Sequence, residues 1–139
     1  MRVSLPPRFV DAPVARMATV SADGRPHLVP VVFAVHGGVV YTAVDAKPKT
    51  TTRLKRLANI AATGRVSLLV DRYDDDWSRL WWVRVDGVAH VLAAGAEETA
   101  ALDTLVAKYP QYRALRPDGP VIAVHPVACR EWAATHEHP

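Results

Sequence analysis

A two-residue turn signal near the start of the chain limits the fold most strongly. Asp23 and Gly24 lie between two runs, 15–21 and 27–35, that are rich in apolar and β-branched residues. Asp-Gly between two such runs is the strongest short-range signal of an antiparallel hairpin. A second turn, written HGG, leads into another apolar run at 39–44. The first third of the chain therefore predicts a three-stranded antiparallel meander.

Two later segments have the spacing of amphipathic helices. In the first, the apolar residues recur at i, i+3, i+4 and i+7, and this stripe is expected to face the core. They are Leu54, Leu57, Ala58 and Ala61. Gly64 is expected to end this helix, because the residue after the last turn often adopts a left-handed conformation that favours glycine. The second helix spans about 96–109 and stops at Pro110, which cannot continue it.

The remaining apolar runs, 65–73, 79–92 and 120–134, read as strands, the last with a bend near Pro126. The order β-β-β-α-β-β-α-β lacks the strict alternation of a parallel doubly wound sheet. It favours a mainly β fold with two helices (α+β), namely a six-stranded antiparallel split β-barrel with the helices packed outside. A length of 139 residues predicts one domain, 1–139.

The long strand 79–92 has two different faces. One face is apolar throughout and is expected to lie in the core; it carries Trp81, Val83, Val85, Ala89 and Val91. The other face carries Trp82 next to Arg84. A large aromatic side chain beside a cation on a sheet surface predicts contact with a partner subunit, a ligand, or both.

Composition and missing motifs exclude several functions. The glycine-rich loops that hold dinucleotides or triphosphates, the nucleophile elbow and the zinc motif HExxH are all absent from the sequence. The single cysteine, Cys129, lies in an apolar strand, and only the terminal HEHP has close-spaced histidines. We therefore expect no metal site. No side chain in the sequence is assigned a catalytic role, so the catalytic residues are unknown at this point. If a chain with so few acid–base and nucleophilic candidates is an enzyme, a cofactor would supply the chemistry.

The expected location is the cytoplasm. No apolar run approaches the roughly 20 residues that span a bilayer, the first residues contain no signal-peptide core, and one cysteine fits a reducing compartment. The net charge of +3 is modest for a dedicated nucleic-acid binder. We expect neither a membrane nor a nucleic acid as partner.

The most basic stretch is 44–57, VDAKPKTTTRLKRL. In an extended chain Lys47 and Lys49 project to the same side, and Thr50 can begin the following helix. Two ammonium groups at a helix start, where backbone N–H groups are unpaired, suit a phosphate monoester. Two other interpretations use the same residues. One is a capped helix with solvated lysines, and the other is a nucleic-acid surface on which Trp77, Trp81 and Trp82 stack bases; the acidic run DRYDDD counts against the latter.

Five stretches of the sequence together resemble a known family. The chain resembles the flavin- and deazaflavin-binding split β-barrel proteins of the pyridoxamine 5′-phosphate oxidase-like superfamily. Within it, the chain is most similar to small enzymes that use the deazaflavin coenzyme F420. The matching stretches are MATVSADGRPHLVPVVF (17–33), VVYTAVDAKPKTTTRLKRL (39–57), VSLLVDRY (66–73), WWVRVDGVAHV (81–91) and VIAVHPVACREW (121–132).

The resemblance implies an FMN-binding type of split barrel that forms a homodimer with two cofactor sites at the subunit interface. In such a site Lys47, Lys49 and Thr50 would hold the cofactor phosphate. The residues implied to line the isoalloxazine-type ring are Pro30, Val31 and Val32 on the second strand, Thr42 and Ala43 on the next, and Trp82 from the other subunit.

The implied activity is hydride transfer between reduced F420 and an unsaturated small-molecule acceptor. Arg53, Lys55 and Arg56 would favour the acidic tail of F420 over flavin mononucleotide (FMN), which is the alternative cofactor. Pyridoxamine phosphate is not the expected substrate, because the C-terminal region lacks an RxH-like ending. Two further alternatives are an FMN-dependent oxidoreductase and a non-catalytic flavin- or F420-binding protein on the same barrel.

Overall fold

The computed structural model describes residues 3–44 and 51–135. Within these ranges the chain forms seven strands, four α-helices and one short 3-10 helix. The strands are β1 (Ala15–Val20), β2 (Pro26–Val31), β3 (Ala34–His36), β4 (Val39–Ala43), β5 (Arg65–Arg72), β6 (Trp81–Val91) and β7 (Val121–Ala133). The helices are α1 (Pro7–Val10), α2 (Thr51–Thr63), α3 (Ala96–Lys108) and α4 (Pro110–Ala114), and the 3-10 helix is Trp77–Arg79.

All seven strands form one antiparallel sheet in the order β2-β1-β5-β6-β7-β4-β3. The two edge strands, β2 and β3, follow each other in the chain and are separated only by Val32 and Phe33. The sheet must therefore curl until its two edges meet at this point. This is the predicted split-barrel fold, with α+β content.

The hairpin at Asp23 and Gly24 is confirmed: Val20 lies opposite Pro26, and Gly24 has a φ of 87°. The prediction of a continuous three-stranded meander is wrong. The run predicted as one strand, 27–35, is divided between β2 and β3, which lie at opposite edges of the sheet, and this gives seven strands rather than six.

The division has a physical cause in α3. The Tyr109 hydroxyl accepts a hydrogen bond from the Phe33 N–H (3.1 Å) and lies 2.8 Å from the carbonyl oxygens of both Phe33 and Pro13. A side chain thus takes the place of a neighbouring strand at Phe33, so ladder pairing stops there.

Two apolar clusters hold the fold together. The first fills the barrel, where the largest fully buried side chains include Phe9, Phe33, Met17 and Leu68. The second lies between α3 and the outer side of β4 and β7, where Leu105 packs on Ala123 and its neighbours. At about 25 cal/mol per Å² of apolar surface, these two layers are the main source of stability.

The predicted bend near Pro126 is a bulge in the β6–β7 ladder. Asp86 pairs with Ala128 and Gly87 pairs with Pro126, so Val127 has no partner. Glycine is required opposite the bulge, because a Cβ on Gly87 would lie 2.6 Å from the His125 carbonyl oxygen.

The predicted buried face of α2 is only partly right: Leu57 packs against the core, and the Leu54 side chain lies outside the described part. Ala58 and Ala61 are exposed, whereas Asn59 and Ile60 are buried. The Asn59 Nδ2 donates to the Thr19 Oγ1 at 3.1 Å, so a polar contact with β1, rather than the alanine stripe, sets the rotation of the helix. Gly64 does end the helix, with a φ of 67°.

In the part of the chain that the structure describes, no helix is long and apolar enough to cross a membrane.

Candidate functional site

The two strand segments predicted to line a cofactor ring meet in the structure. The Thr42 hydroxyl donates to the Val32 carbonyl oxygen at 2.8 Å, and the Thr42 side chain is only 3% exposed. Ala43 is also buried, and Val44 donates its N–H to the Pro120 carbonyl at 2.8 Å. The end of β4 is therefore fixed against the junction of β2 and β3.

Strand β2 presents a free edge beside this junction. Among the described residues it pairs only with β1, so alternate backbone groups along the other side of β2 have no strand partner. Pro30 is exposed, Val31 is buried and Val32 is half-buried. A polar ligand could take hydrogen bonds from such a backbone edge without any particular side chain.

Lys47, Lys49 and Thr50, predicted to bind the phosphate, lie outside the described residues. The described chain enters this segment at Val44, directly after Thr42 and Ala43, and leaves it at the first residue of α2. The predicted phosphate ligands therefore belong to the segment that connects β4, which lines the junction, to α2.

Arg56 differs from its prediction as a solvated cation or a contact for a ligand tail. It is only 8% exposed, on the inward side of α2. Burial lowers the pKa of His27, and the positive charges of Arg56 and Lys55 lower it further. The Nδ1 of His27 is buried without a hydrogen-bond partner among the described residues. The Arg56 and His27 side chains therefore lie near each other.

Trp82 lies apart from these residues within one chain. It sits on β6 between Asp71 of β5 and Trp132 of β7, and two strands, β1 and β5, separate it from β2. The prediction required Trp82 from a second subunit, which the single chain does not test. Trp81 and Trp82 alternate along β6 and point to opposite sides, so the tryptophans do not form one platform for stacking bases.

Trp82 belongs to a sheet face that no helix covers in the described structure. The pairing register shows that this face runs across β2, β1, β5, β6 and the later part of β7, from Ala128 to Trp132. Its exposed apolar side chains include Leu28 (67%), Leu69 and Trp132. Val127 (64%), in the bulge, lines a cavity on the same face together with Ala18 and Ser67. Helix α2 contacts β1 through Thr19, which points to the other side, and α3 packs on β3, β4 and β7. We call this surface the open sheet face.

Sequence reasoning missed the residues that support the junction from behind. Lys108 donates from Nζ to the carbonyl oxygens of Val10 (3.0 Å) and Ala12 (2.7 Å), and its ammonium lies 4.0 Å from the centre of the Phe33 ring. Desolvation lowers the pKa of Lys108. The sequence placed Tyr109 only at the end of the second predicted helix, 96–109. A buried tyrosine hydroxyl signals that a polar partner exists, but not which one.

The side chains available for acid–base or metal chemistry are few. Desolvation and the nearby carboxylate of Glu131 raise the pKa of Cys129, so its thiol is a poor nucleophile. Among the residues that the structure describes, no three His, Cys, Asp or Glu side chains lie together as metal ligands would. The arrangement can position a bound molecule through backbone and hydroxyl groups.

A protein-family model matches most of the chain. The family model described as pyridoxamine 5′-phosphate oxidase matches residues 8–133. No match was found among the curated proteins.

Solved structures with the same fold include three of differing description. HutZ, the heme storage protein from Vibrio cholerae, has a TM-score of 0.70 at 13% identity, over 96% of this chain and 95% of that one. An FAD-binding protein from Mesorhizobium loti has a TM-score of 0.68 at 19% identity, over 88% and 87%. A conserved hypothetical protein from Mycobacterium tuberculosis has a TM-score of 0.68 at 18% identity, over 99% and 93%. At identities this low, the structural similarity shows a shared fold alone.

Proposed function

Because the chain belongs to the pyridoxamine 5′-phosphate oxidase family, we propose that it is an oxidoreductase that binds a flavin-type cofactor. In its specific form, the proposal is an F420-dependent enzyme that transfers a hydride between reduced F420 and an unsaturated small-molecule acceptor. When bound, the deazaflavin would supply the two-electron chemistry. The protein would supply binding, orientation and a water-poor site.

The observation that carries the proposal is the hydrogen bond between Thr42 and the Val32 carbonyl. This bond joins the two segments implied to line the ring. Thr42, its donor, is followed in the chain by the segment that carries Lys47 and Lys49. The free backbone edge of β2 fits the polar edge of a flavin-type ring through the Leu28 N–H and the outward carbonyl groups, which have no other strand to pair with; Pro26 and Pro30 carry no N–H. The proposed ring site comprises Pro30–Val32, Thr42 and Ala43, with the phosphate at Lys47, Lys49 and Thr50.

The second part of the proposal is a homodimer formed through the open sheet face. Apolar side chains as exposed as Leu28 and Val127, on a face with no covering helix among the described residues, favour a protein partner. Trp82 lies on this same face. A second copy docked there would bring its Trp82 toward the cofactor site, as the family resemblance implies.

The choice of F420 over FMN is supported by the resemblance and by Lys55. Lys55 is exposed on α2, one helical turn after the predicted phosphate site, where it can meet an acidic tail. Arg56 is buried and no longer supports a tail contact. An exposed contact such as that of Lys55 contributes only about 0.2–1 kcal/mol. FMN remains the second candidate, and a neighbour of the same fold binds FAD.

The test of activity is reoxidation of reduced F420, followed spectrophotometrically with a panel of activated alkenes, imines and quinones. We expect protein-dependent oxidation with at least one acceptor. Tight F420 binding without turnover would support the non-catalytic alternative. Turnover with reduced FMN but none with reduced F420 would instead assign the FMN-dependent alternative.

Lys55→Ala separates the two cofactors within one experiment. Because FMN has no acidic tail, we expect weaker binding of F420 and unchanged binding of FMN. Arg25→Ala, an exposed cation on the β1–β2 turn, serves as the control for a general loss of positive charge. Equal losses for F420 and FMN would contradict the role of Lys55 in tail recognition.

A further inference from the structure

A cleft at the end of the barrel near α1 lies apart from the proposed cofactor site. It consists of two adjoining cavities of about 580 and 290 Å³. Arg8 of α1, Arg72 at the end of β5 and Trp81 at the start of β6 line both cavities. Volumes in this range suit a small organic molecule. None of the residues proposed to bind the cofactor lines either cavity.

The charges around this cleft leave one arginine without an acid. Arg16, Arg72 and Arg79 form ion pairs with Asp71, Asp74 and Asp76, respectively, at 3.3, 3.2 and 3.8 Å. Arg8 forms no ion pair with any described residue. Its guanidinium instead lies 5.1 Å from the centre of the Trp81 ring.

The ion pairs of the other arginines are weakly held. The side chains of Arg72 and Arg79 are 51% and 63% exposed, and exposed pairs of this kind contribute little to stability. They can therefore be exchanged for contacts with an anionic ligand at small cost. A guanidinium group matches a carboxylate with two parallel hydrogen bonds, so Arg8 and Arg72 together are suited to bind one.

The larger cavity adds aromatic surface to this positive charge. Trp81 and Tyr73 both line it, and Tyr73 is largely exposed. Aromatic side chains in a cavity stack on planar rings. Two carboxylates, Asp11 and Asp71, also line this cavity, and Asp71 is paired with Arg16. Because Asp11 would repel an anionic group, the side nearest Asp11 suits the uncharged part of a ligand.

We propose that this cleft is a second ligand site that binds a planar aromatic carboxylate. The ring lies in the larger cavity beside Trp81 and Tyr73, and the carboxylate accepts hydrogen bonds from Arg8 and Arg72. The site shares no residue with the proposed cofactor site, although Arg16 and Asp71 of the larger cavity lie at the border of the open sheet face.

The experiment is calorimetric titration of the full chain with 2-naphthoate, with the neutral 2-naphthamide as a matched ligand. We expect saturable binding of naphthoate, at least about tenfold tighter than that of the amide. Arg8→Gln should weaken naphthoate binding at least about tenfold, and Arg72→Gln should also weaken it. Arg25→Gln, which changes an exposed arginine on the distant β1–β2 turn, should leave it unchanged.

Several results would overturn the proposal. They are no saturable binding of naphthoate, equal binding of the acid and the amide, or unchanged binding in both Arg8→Gln and Arg72→Gln variants that melt like the wild type. Displacement of naphthoate by F420 or FMN would also overturn it, because the cleft would then be part of the cofactor site. Failure of F420 and FMN to bind, with naphthoate binding intact, would contradict the proposed function alone.

Discussion

At the scale of single residues, Lys49 carries the strongest functional prediction. Lys49→Ala should leave the free energy of unfolding unchanged within about 0.5 kcal/mol, since a lysine whose role is to bind a ligand contributes little to stability. If Lys49 binds the cofactor phosphate, affinity for F420 should fall at least about tenfold, or about 1.4 kcal/mol. Fluorescence titration with F420 measures this, with Arg25→Ala as the control. Unchanged affinity would make Lys49 an ordinary surface charge.

Tyr41 predicts a loss of stability at alkaline pH. Its hydroxyl donates to the Glu97 Oε2 at 2.8 Å, and desolvation together with this carboxylate raises the pKa of Tyr41 to about 12. Between pH 10 and that value the unfolded chain has lost this proton and the folded chain has kept it. The free energy of unfolding should therefore fall as pH rises, by up to about 1.4 kcal/mol per pH unit from this group.

Urea unfolding of the wild type and of Tyr41→Phe at pH 9 and pH 11 isolates this contribution. Tyr109, whose pKa burial also raises, contributes in the same direction in both proteins and cancels in the comparison. We expect the loss of stability between the two pH values to be smaller in Tyr41→Phe. Equal losses in the two proteins would show that Tyr41 does not titrate differently on folding.

At the scale of elements, Tyr109 links α3 to the junction between β2 and β3. Tyr109→Phe removes a hydroxyl that accepts from Phe33 N–H and lies 2.8 Å from the carbonyl oxygens of Phe33 and Pro13. Pro13 is exposed, but leaving the backbone groups of the buried Phe33 without a partner should lower the free energy of unfolding by about 1–3 kcal/mol. Urea denaturation measures the change.

Tyr73→Phe is the matched control for this prediction. Its hydroxyl is exposed and takes part in one long contact, 3.4 Å from the Trp77 Nε1. We expect its free energy of unfolding to stay within about 0.5 kcal/mol of the wild type. If Tyr109→Phe is equally mild, water replaces the hydroxyl and the junction does not depend on it.

The elements that the sequence predicts well are those set by neighbouring residues. The Asp23-Gly24 hairpin, the end of α2 at Gly64 and the bend near Pro126 depend on the conformations that glycine and proline allow. The division of the run 27–35 is not predictable in this way, because Tyr109 lies 76 residues from Phe33 in the sequence.

The alanine part of the buried face of α2 was mispredicted for a related reason, whereas Leu57 does pack against the core. Apolar spacing favoured Ala58 and Ala61, which bury little surface, over a polar face. The contact between Asn59 and Thr19 joins residues 40 positions apart and outweighs that small apolar gain. Periodicity cannot identify a helix face that is anchored by polar partners on a distant strand.

At the scale of the whole molecule, the open sheet face predicts the oligomeric state. Leu28→Asp should convert a dimer to a monomer, since a buried unpaired carboxylate at an interface is strongly unfavourable. Leu115→Asp is the matched control: Leu115 is 70% exposed, against 67% for Leu28, and lies after α4, away from that face. Light scattering coupled to size exclusion distinguishes the two outcomes. A wild type that is monomeric at all concentrations would exclude the proposed dimer.

The candidate site was predictable only in part from the sequence. The contact between Thr42 and Val32 brings together two strand segments that were chosen by resemblance. The sequence did not indicate that Arg56 is buried, nor that Lys108 and Tyr109 support the junction, because each of these facts depends on which strand lies beside which helix. The proposed role of Trp82 depends on a second subunit, and a single chain does not test it.

The central claim is that the barrel binds a deazaflavin cofactor at the junction of β2, β3 and β4. The most direct test is titration of the wild-type protein with F420 and with FMN side by side under identical conditions, followed by calorimetry. We predict saturable binding of one F420 per chain, at least about tenfold tighter than FMN. Tight binding of FMN with no detectable binding of F420 would contradict the claim.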